Sequence, residues 1–267
     1  MRCSSLGFAT DLAILELGGS TIERRDGYWS IRSPHAPTYY WGNFLLADSL
    51  NEAVNVAQWH QRFAAEFPHA RHFALGVNNP ILSDAETHGF TELGSEVSAM
   101  SVLTRPAPAL VEVDGEAEQC RALVSDDDWN QALSLGVATR DEDFSEDSFR
   151  TFFANYLAMQ RVIVRQGNAA WWGSFEEGKL VSQCGIVSCG DGLARFQMVS
   201  THPGHRRRGF ASQTVAAAGK FAAETYRTET LVIVADPNDH AISIYRDLGF
   251  VVTEQQVSIE RRAETDA

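Results

Sequence analysis

The chain has 267 residues, 44% hydrophobic and 21% charged, which is long enough for one large domain or two ordinary ones and too apolar to be disordered. Its 35 acidic against 22 basic residues leave a net charge of −13, which repels a phosphate backbone over most of the surface and argues against nucleic acid as a partner. Cys3, Cys120, Cys184 and Cys189 stand far apart, with no CxxC pair and no histidine cluster, so they indicate neither a metal site nor a disulfide framework and fit a reducing cytoplasm.

The first 17 residues are apolar but interrupted by Asp11 and Glu16, and no apolar run approaches the ~20 residues that span a bilayer. A soluble, cytoplasmic protein without a membrane partner is the expectation. The aromatic run Tyr39, Tyr40, Trp41, Gly42, Asn43, Phe44 reads as a strand buried against a helix over 55–67. Pro106 and Pro108 cannot continue a helix or a central strand, which places a boundary at 104–109 and suggests segments 1–105 and 126–267 joined by a linker over 106–125.

Beyond the boundary, Ser125 caps a predicted helix over 126–138, with Asp128 completing an approximate capping box and Trp129, Ala132, Leu133 and Leu135 on one apolar face. A second helix is predicted over 146–164, anchored by Phe149, Phe152, Phe153, Tyr156, Leu157 and Val162. The acidic runs Asp126, Asp127, Asp128 and Asp141, Glu142, Asp143 read as solvated helix starts or as a weak attraction for cationic substrates. Three β-rich runs, 169–175, 180–188 and 193–201, are joined by glycine-containing turns and form an antiparallel meander. A loop over 203–208 then leads into a helix over 209–226 and a strand over 230–235, a strand–helix–strand crossover. A short helix over 239–248 and a closing strand over 250–259 complete a mixed α/β layer.

The loop before the long helix carries the chemistry. A strand that feeds a basic, glycine-containing turn and then a helix presents several backbone N–H groups at the positive end of the helix dipole, which makes an anion site. Gly209 allows close approach of the backbone, and Arg206, Arg207 and Arg208 add charge. The loop has neither the Gly-Lys-Ser/Thr ending of a triphosphate loop nor the three spaced glycines of a dinucleotide fold. What remains is Arg-x-x-Gly-x-Ala, which by itself reads equally as a basic helix start.

Its neighbours change that balance. Residues 198–211, in which a strand and the turn His202-Pro203 precede Arg206-x-x-Gly209-x-Ala211, are similar to the strand-to-cradle segment of the GNAT acyltransferase superfamily. Residues 236–250 resemble the same family's asparagine, seven residues on a tyrosine, then Leu-Gly-Phe: here Asn238, Tyr245 and Leu248-Gly249-Phe250. The resemblance covers roughly 126–262. It implies a mixed, mostly antiparallel sheet flanked by helices, and acetyl-CoA as co-substrate without a metal. The backbone of Val199, Ser200 and Thr201 would pair with the pantetheine arm, and Arg206, Arg207, Arg208, Gly209, Phe210, Ala211 and Ser212 would hold the pyrophosphate. Asn238 would bond the arm, cap the next helix, or do both. Tyr245 would protonate the leaving thiolate; otherwise it is a core tyrosine packed on Phe250.

The implied reaction is transfer of acetyl to the amine of a small molecule or peptide by direct attack; the alternative is a non-catalytic acyl-CoA-binding regulatory module. Many relatives carry a glutamate on the strand before the cradle, whereas 193–201 has no carboxylate; Arg195, Gln197, Val199 and Thr201 share one face by alternation. His202, a water chain or an amine arriving neutral would each serve, and the base stays unassigned. Aligning Gly89-Phe90 with Gly249-Phe250 sets Asn78 opposite Asn238 and Ala85 opposite Tyr245, an echo that suggests two tandem lobes with a degenerate, non-catalytic first half. The aromatic run at 39–44 would then have a second possible role, lining an acceptor cleft between lobes. A tandem can complete its own cleft, so a monomer is expected.

Overall fold

The computed structural model describes residues 3–37, 39–50, 55–79, 84–109, 113 and 119–262, so 110–112 and 114–118 of the expected linker lie outside the described residues. The first half runs α1 (Leu6–Leu17), β1 (Thr21–Arg25), β2 (Tyr28–Arg32), β3 (Phe44–Ala47), α2 (Val56–Glu66), β4 (Phe73–Val77), α3 (Asp84–Glu92), β5 (Glu96–Pro106). The second runs β6 (Gln119–Ala122), α4 (Asp126–Ala138), α5 (Glu146–Arg165), β7 (Ala169–Glu176), β8 (Lys179–Gly190), β9 (Leu193–Thr201), α6 (Phe210–Thr225), β10 (Thr230–Ala235), α7 (Ala241–Asp247), β11 (Val251–Arg261). The order helix, three strands, helix, strand, helix, strand occurs in both halves, as a tandem arrangement requires. No helix among the described residues is long and apolar enough to cross a membrane.

The chain forms two compact units, one of residues 1–102, 234–238 and 252–267, the other of 103–233 and 239–251. In the first unit the strands follow the order β1-β2-β3-β4-β11-β5. The hairpin β1/β2 and the pair β2/β3 are antiparallel and β3/β4 is parallel. Its core gathers Phe8, Phe44, Trp59, Phe63, Phe73 and Ile259. The N-terminus is pinned there: Ser5 caps α1 by accepting the Phe8 N–H, and the Asn78 side-chain oxygen accepts the backbone N–H groups of Ser4 and Ser5, each at 2.9 Å.

In the second unit the order is β10-β9-β8-β7-β6, with β10/β9 parallel and the others antiparallel. The sheet is therefore mixed and mostly antiparallel, flanked by helices. Trp129, Phe153, Leu157 and Trp171 join α4 and α5 to one face. Alternation along β8 separates the faces: the Gln183 amide donates to the Ala132 carbonyl of α4, whereas the Cys184 thiol reaches the Thr214 carbonyl of α6. The capping box forms as expected, since Ser125 Oγ accepts the Asp128 N–H at 3.1 Å and Asp128 Oδ2 accepts the Ser125 N–H at 3.0 Å. Arg121 closes on the same carboxylate with two hydrogen bonds of 2.8 and 2.9 Å.

Three features depart from the sequence reading. The run at 39–44 is not a strand: Tyr40–Gly42 is a 3-10 turn and β3 begins at Phe44. Asn43 holds the turn by donating to the carbonyls of Ala36 and Tyr39, and Tyr40 stacks on His72 at 4.2 Å between ring centroids. The closing strand β11 pairs antiparallel with β4 and adds Ile259 to the first unit's core. Finally, the echo has a different register. Gly89 lies inside α3, and the helix ends at Gly94, with φ +77°, the Gly94 N–H donating to the Thr91 carbonyl and the Ser95 N–H to the Phe90 carbonyl. At α7 the Gly249 N–H donates to Arg246 and the Phe250 N–H to Tyr245, with φ +82° at Gly249. Matching these helix ends sets Phe90 opposite Tyr245, a ring of the same shape without the hydroxyl.

Candidate active site

The strand that leads to the cradle is not regular. Gln197 pairs with Gly185 and Ser200 with Gln183, so Met198 and Val199 together face the single residue Cys184, and Met198 has φ +49°. This is a β-bulge, which adds one residue to β9 and bends it. The expected face of Arg195, Gln197, Val199 and Thr201 is therefore broken in the middle. Gln197 shares its side with Ser200, whose Oγ accepts from the Gln183 amide at 3.2 Å, while Thr201 bonds Ser182 at 2.9 Å on the other side. Gln197 is itself engaged, its side-chain oxygen accepting the Tyr156 hydroxyl at 3.0 Å. Val199, Ser200 and Thr201 all keep partial solvent exposure.

After β9, His202 begins a 3-10 turn over Pro203–His205, and its Nδ1 accepts the Gly204 N–H at 3.2 Å. The same nitrogen lies 3.2 Å from His205 Nδ1. His202 is thus engaged in holding the turn. Arg207 takes a left-handed conformation, φ +62°, and Gly209 another, φ +79°. Gly209 is the N-cap of α6 with no side-chain cap bond, so the first amides of the helix have no intrahelical partner. A Cβ added at Gly209 would meet nothing within 4 Å, so the chain is open to solvent at the helix start. Phe210 is 1% exposed and anchors the helix start, while Ala211 and Ser212 remain partly exposed.

The three arginines divide their work. Arg208 makes two hydrogen bonds to Glu176, of 3.0 and 2.5 Å, and its guanidinium lies 4.9 Å from the Phe210 ring centroid. His205 Nε2 sits 3.1 Å from the same carboxylate. Hydrogen bonding from Arg208 holds the Glu176 carboxyl below its usual range, with the His205 contact adding to it. Arg208 thus ties the loop to the end of β7. Arg206 donates to the Thr201 carbonyl at 3.3 Å, and both it and Arg207 are exposed. Glu176 was legible in the sequence only as part of a hairpin turn; nothing in its own segment points to a partner 32 residues away.

Tyr245 lies on α7 with 5% of its surface exposed and meets Phe250 edge to face at 6.4 Å. Burial raises its phenol well above the ordinary tyrosine range, with Cys184 and Asp239 adding to the shift. It stays protonated across physiological pH, and the same burial makes it a weaker acid than an exposed tyrosine. Asn238 is exposed and packs with the first unit, its N–H donating to Asp236 Oδ1 at 2.8 Å. It does not cap α7: the N-cap is His240, and Asp239 Oδ1 accepts the Ala241 N–H.

A cavity of about 250 Å³ opens on the bulge, bounded by Met198, Val199 and Ser200 of β9 and by Phe149 and Phe153 of α5. The end of α4 and the loop after it, including Gly136, Arg140 and Asp141, complete its lining. Neither bulge nor cavity follows from strand alternation.

No curated protein matches the chain. Among solved structures, a functionally unknown conserved protein from Staphylococcus epidermidis aligns with TM-score 0.74 and 16% identity, over 92% of this chain and 95% of that one. A GCN5-related N-acetyltransferase from Kribbella flavida aligns with TM-score 0.63 and 14% identity, over 97% and 98%. A tandem GNAT protein from the clavulanic acid biosynthesis pathway aligns with TM-score 0.56 and 13% identity, over 95% and 89%. At these identities the likeness is one of fold. The acetyltransferase (GNAT) family model matches residues 129–250, which hold the bulge, the cradle and Tyr245. This chain shares the fold of a tandem GNAT protein, and its residues 129–250 match the acetyltransferase (GNAT) family model.

Proposed function

We propose that the protein transfers acetyl from acetyl-CoA to the amine of a small molecule or peptide by direct attack. The observation that carries this reading is the uncapped start of α6 at left-handed Gly209, directly after a bulged strand, within a GNAT-family segment. The residues suit a CoA pyrophosphate. The amides of Gly209, Phe210, Ala211 and Ser212 supply donors, Arg206 and Arg207 supply exposed charge, and Arg208 is held by Glu176. Val199, Ser200 and Thr201 keep partial exposure beyond the 193–195 stretch where β9 pairs with β10, which suits the pantetheine arm.

The thioester supplies an activated acetyl carbonyl and a thiolate leaving group. A neutral amine attacks the carbonyl carbon, a C–N bond forms and the C–S bond breaks. Tyr245 gives its proton to the departing sulfur, and the proton lost from nitrogen restores the phenol through solvent. The first half takes no part in the chemistry on this reading, consistent with Phe90 where the second half has Tyr245. The protein acts as a cytoplasmic monomer.

Release of CoA thiol from acetyl-CoA with a panel of primary amines tests the proposal. Turnover that falls sharply in Tyr245→Phe while calorimetric acetyl-CoA binding persists is the expected result. Tight acetyl-CoA binding without turnover on any amine refutes it and favours the regulatory module.

A further inference from the structure

The cavity on the β9 bulge has a chemistry of its own. Phe149 and Phe153 of α5 present aromatic rings 5.7 Å apart between centroids, and Met198 and Val199 face them across the space. Few polar side chains line it. Thr139 Oγ1 donates within its own helix end, to Leu135 or Gly136, and Ser200 Oγ accepts from Gln183. The Arg140 guanidinium is turned to the carbonyls of Val137 and Phe144, both at 3.1 Å, and lies 3.9 Å from Glu146. Asp141 differs: one oxygen accepts the Asp143 N–H at 3.2 Å, and no cation pairs with its exposed carboxylate among the described residues. Glu142, Asp143 and Asp147 extend the negative surface next to it, while Glu146 is paired with Arg150 at 2.9 Å.

We infer that this cavity binds the acceptor, and that the acceptor is a small primary amine on an apolar, aryl or alkyl body without a carboxylate. The inference rests on the transferase reading above. Asp141 and the acidic surface around it attract the ammonium ion to the mouth, and the body seats between the two phenylalanines and the bulge. A polyhydroxylated body would lose more water than this largely apolar wall, with the hydroxyls of Thr139 and Ser200, could replace. A carboxylate beside the amine would meet Asp141 with like charge, and the nearest guanidinium is committed elsewhere. The volume suits a body of one aromatic ring and a short chain, well below the ~300–1,000 Å³ of pockets for drug-sized ligands.

The test compares 2-phenylethylamine, n-hexylamine, phenylalanine and glucosamine as acceptors, with acetyl-CoA binding measured in parallel. Phenylalanine carries the body of phenylethylamine plus a carboxylate, so the pair isolates that group. The expected result is kcat/KM at least about tenfold higher for phenylethylamine and hexylamine than for the other two. Phe149→Ala should raise the KM for phenylethylamine about tenfold while leaving the KM for acetyl-CoA unchanged. Asp141→Asn, an exposed change that spares the fold, should raise the amine KM about threefold at low salt and less at high salt. Equal or better use of phenylalanine or glucosamine, or an amine KM indifferent to both variants, overturns the inference and leaves the transferase reading standing. Acetyl-CoA binding with no thiol release from any amine overturns both.

Discussion

Gly136→Ala is a substitution for which helix propensity and packing predict opposite signs. Gly136 lies in the last turns of α4, where alanine is favoured over glycine by about 1 kcal/mol. The site has no room for a methyl group: a Cβ there would stand 2.5 Å from Phe153 Cδ1 and 2.7 Å from Cζ, with Cε1 closer still. Phe153 is fully buried and stacks on Phe149 at 5.7 Å and Tyr156 at 5.9 Å, so its ring cannot slide along the helix face. Its open direction is the cavity on the β9 bulge, and moving there costs the overpacking energy of about 1–3 kcal/mol plus rotamer strain. The net expectation is destabilisation by about 1–2 kcal/mol, a fall in Tm of about 3–6 °C, read by calorimetry. The displaced ring should also raise the amine KM without changing the KM for acetyl-CoA. Adding Phe153→Leu should recover part of the loss, as expected for two residues in direct contact. A Tm equal to or above that of the parent protein refutes the reasoning.

Other consequences follow from the site and its supports. Tyr245→Phe keeps the buried ring and removes the proton donor; kcat should fall about 100-fold or more with acetyl-CoA affinity unchanged, read by stopped-time thiol assay and calorimetry. Glu176→Gln releases Arg208 and His205 from β7, so the KM for acetyl-CoA should rise up to about fivefold while kcat holds; an unchanged KM would mean the loop keeps its shape alone. The Arg121 hydrogen bonds, reinforced by the Val124 and Ser125 amides, hold the Asp128 carboxyl well below its usual range. Its folded-state value is depressed, so its stabilising contribution is full above the unfolded value of about 3.9 and is lost as pH falls below that. Denaturant titrations from pH 7 down to pH 2 should show this loss setting in below pH 4, and Asp128→Asn should be less stable at pH 7 with a shallower acid dependence.

Local chemistry made much of this protein legible. Ser125 and Asp128 three residues apart can satisfy each other's amides without help from the rest of the chain, so the start of α4 was readable from its own residues. Strand–turn periodicity over 169–201 and the crossover around Gly209 were equally local, because backbone geometry and glycine's left-handed freedom act within a few residues. The cradle and Tyr245 stood out because two short segments occur in a recognisable order.

Tertiary structure decided what depends on residues distant in sequence. The bulge at Met198 follows from how β9 meets β8, and it overturned a face assigned by simple alternation. Strand β11 pairs with β4 because hydrogen bonding along a strand edge carries no record of sequence separation. Glu176 became part of the cradle only when folding set it against Arg208, and Phe90 stood opposite Tyr245 only once helix ends, rather than matching letters, set the register. Sequence alone pointed to the donor loop, since its turn, its glycine and its basic residues lie within one short segment. The acceptor cavity needed three elements packed together, and only the folded chain brings Phe149, Asp141 and Val199 around one space.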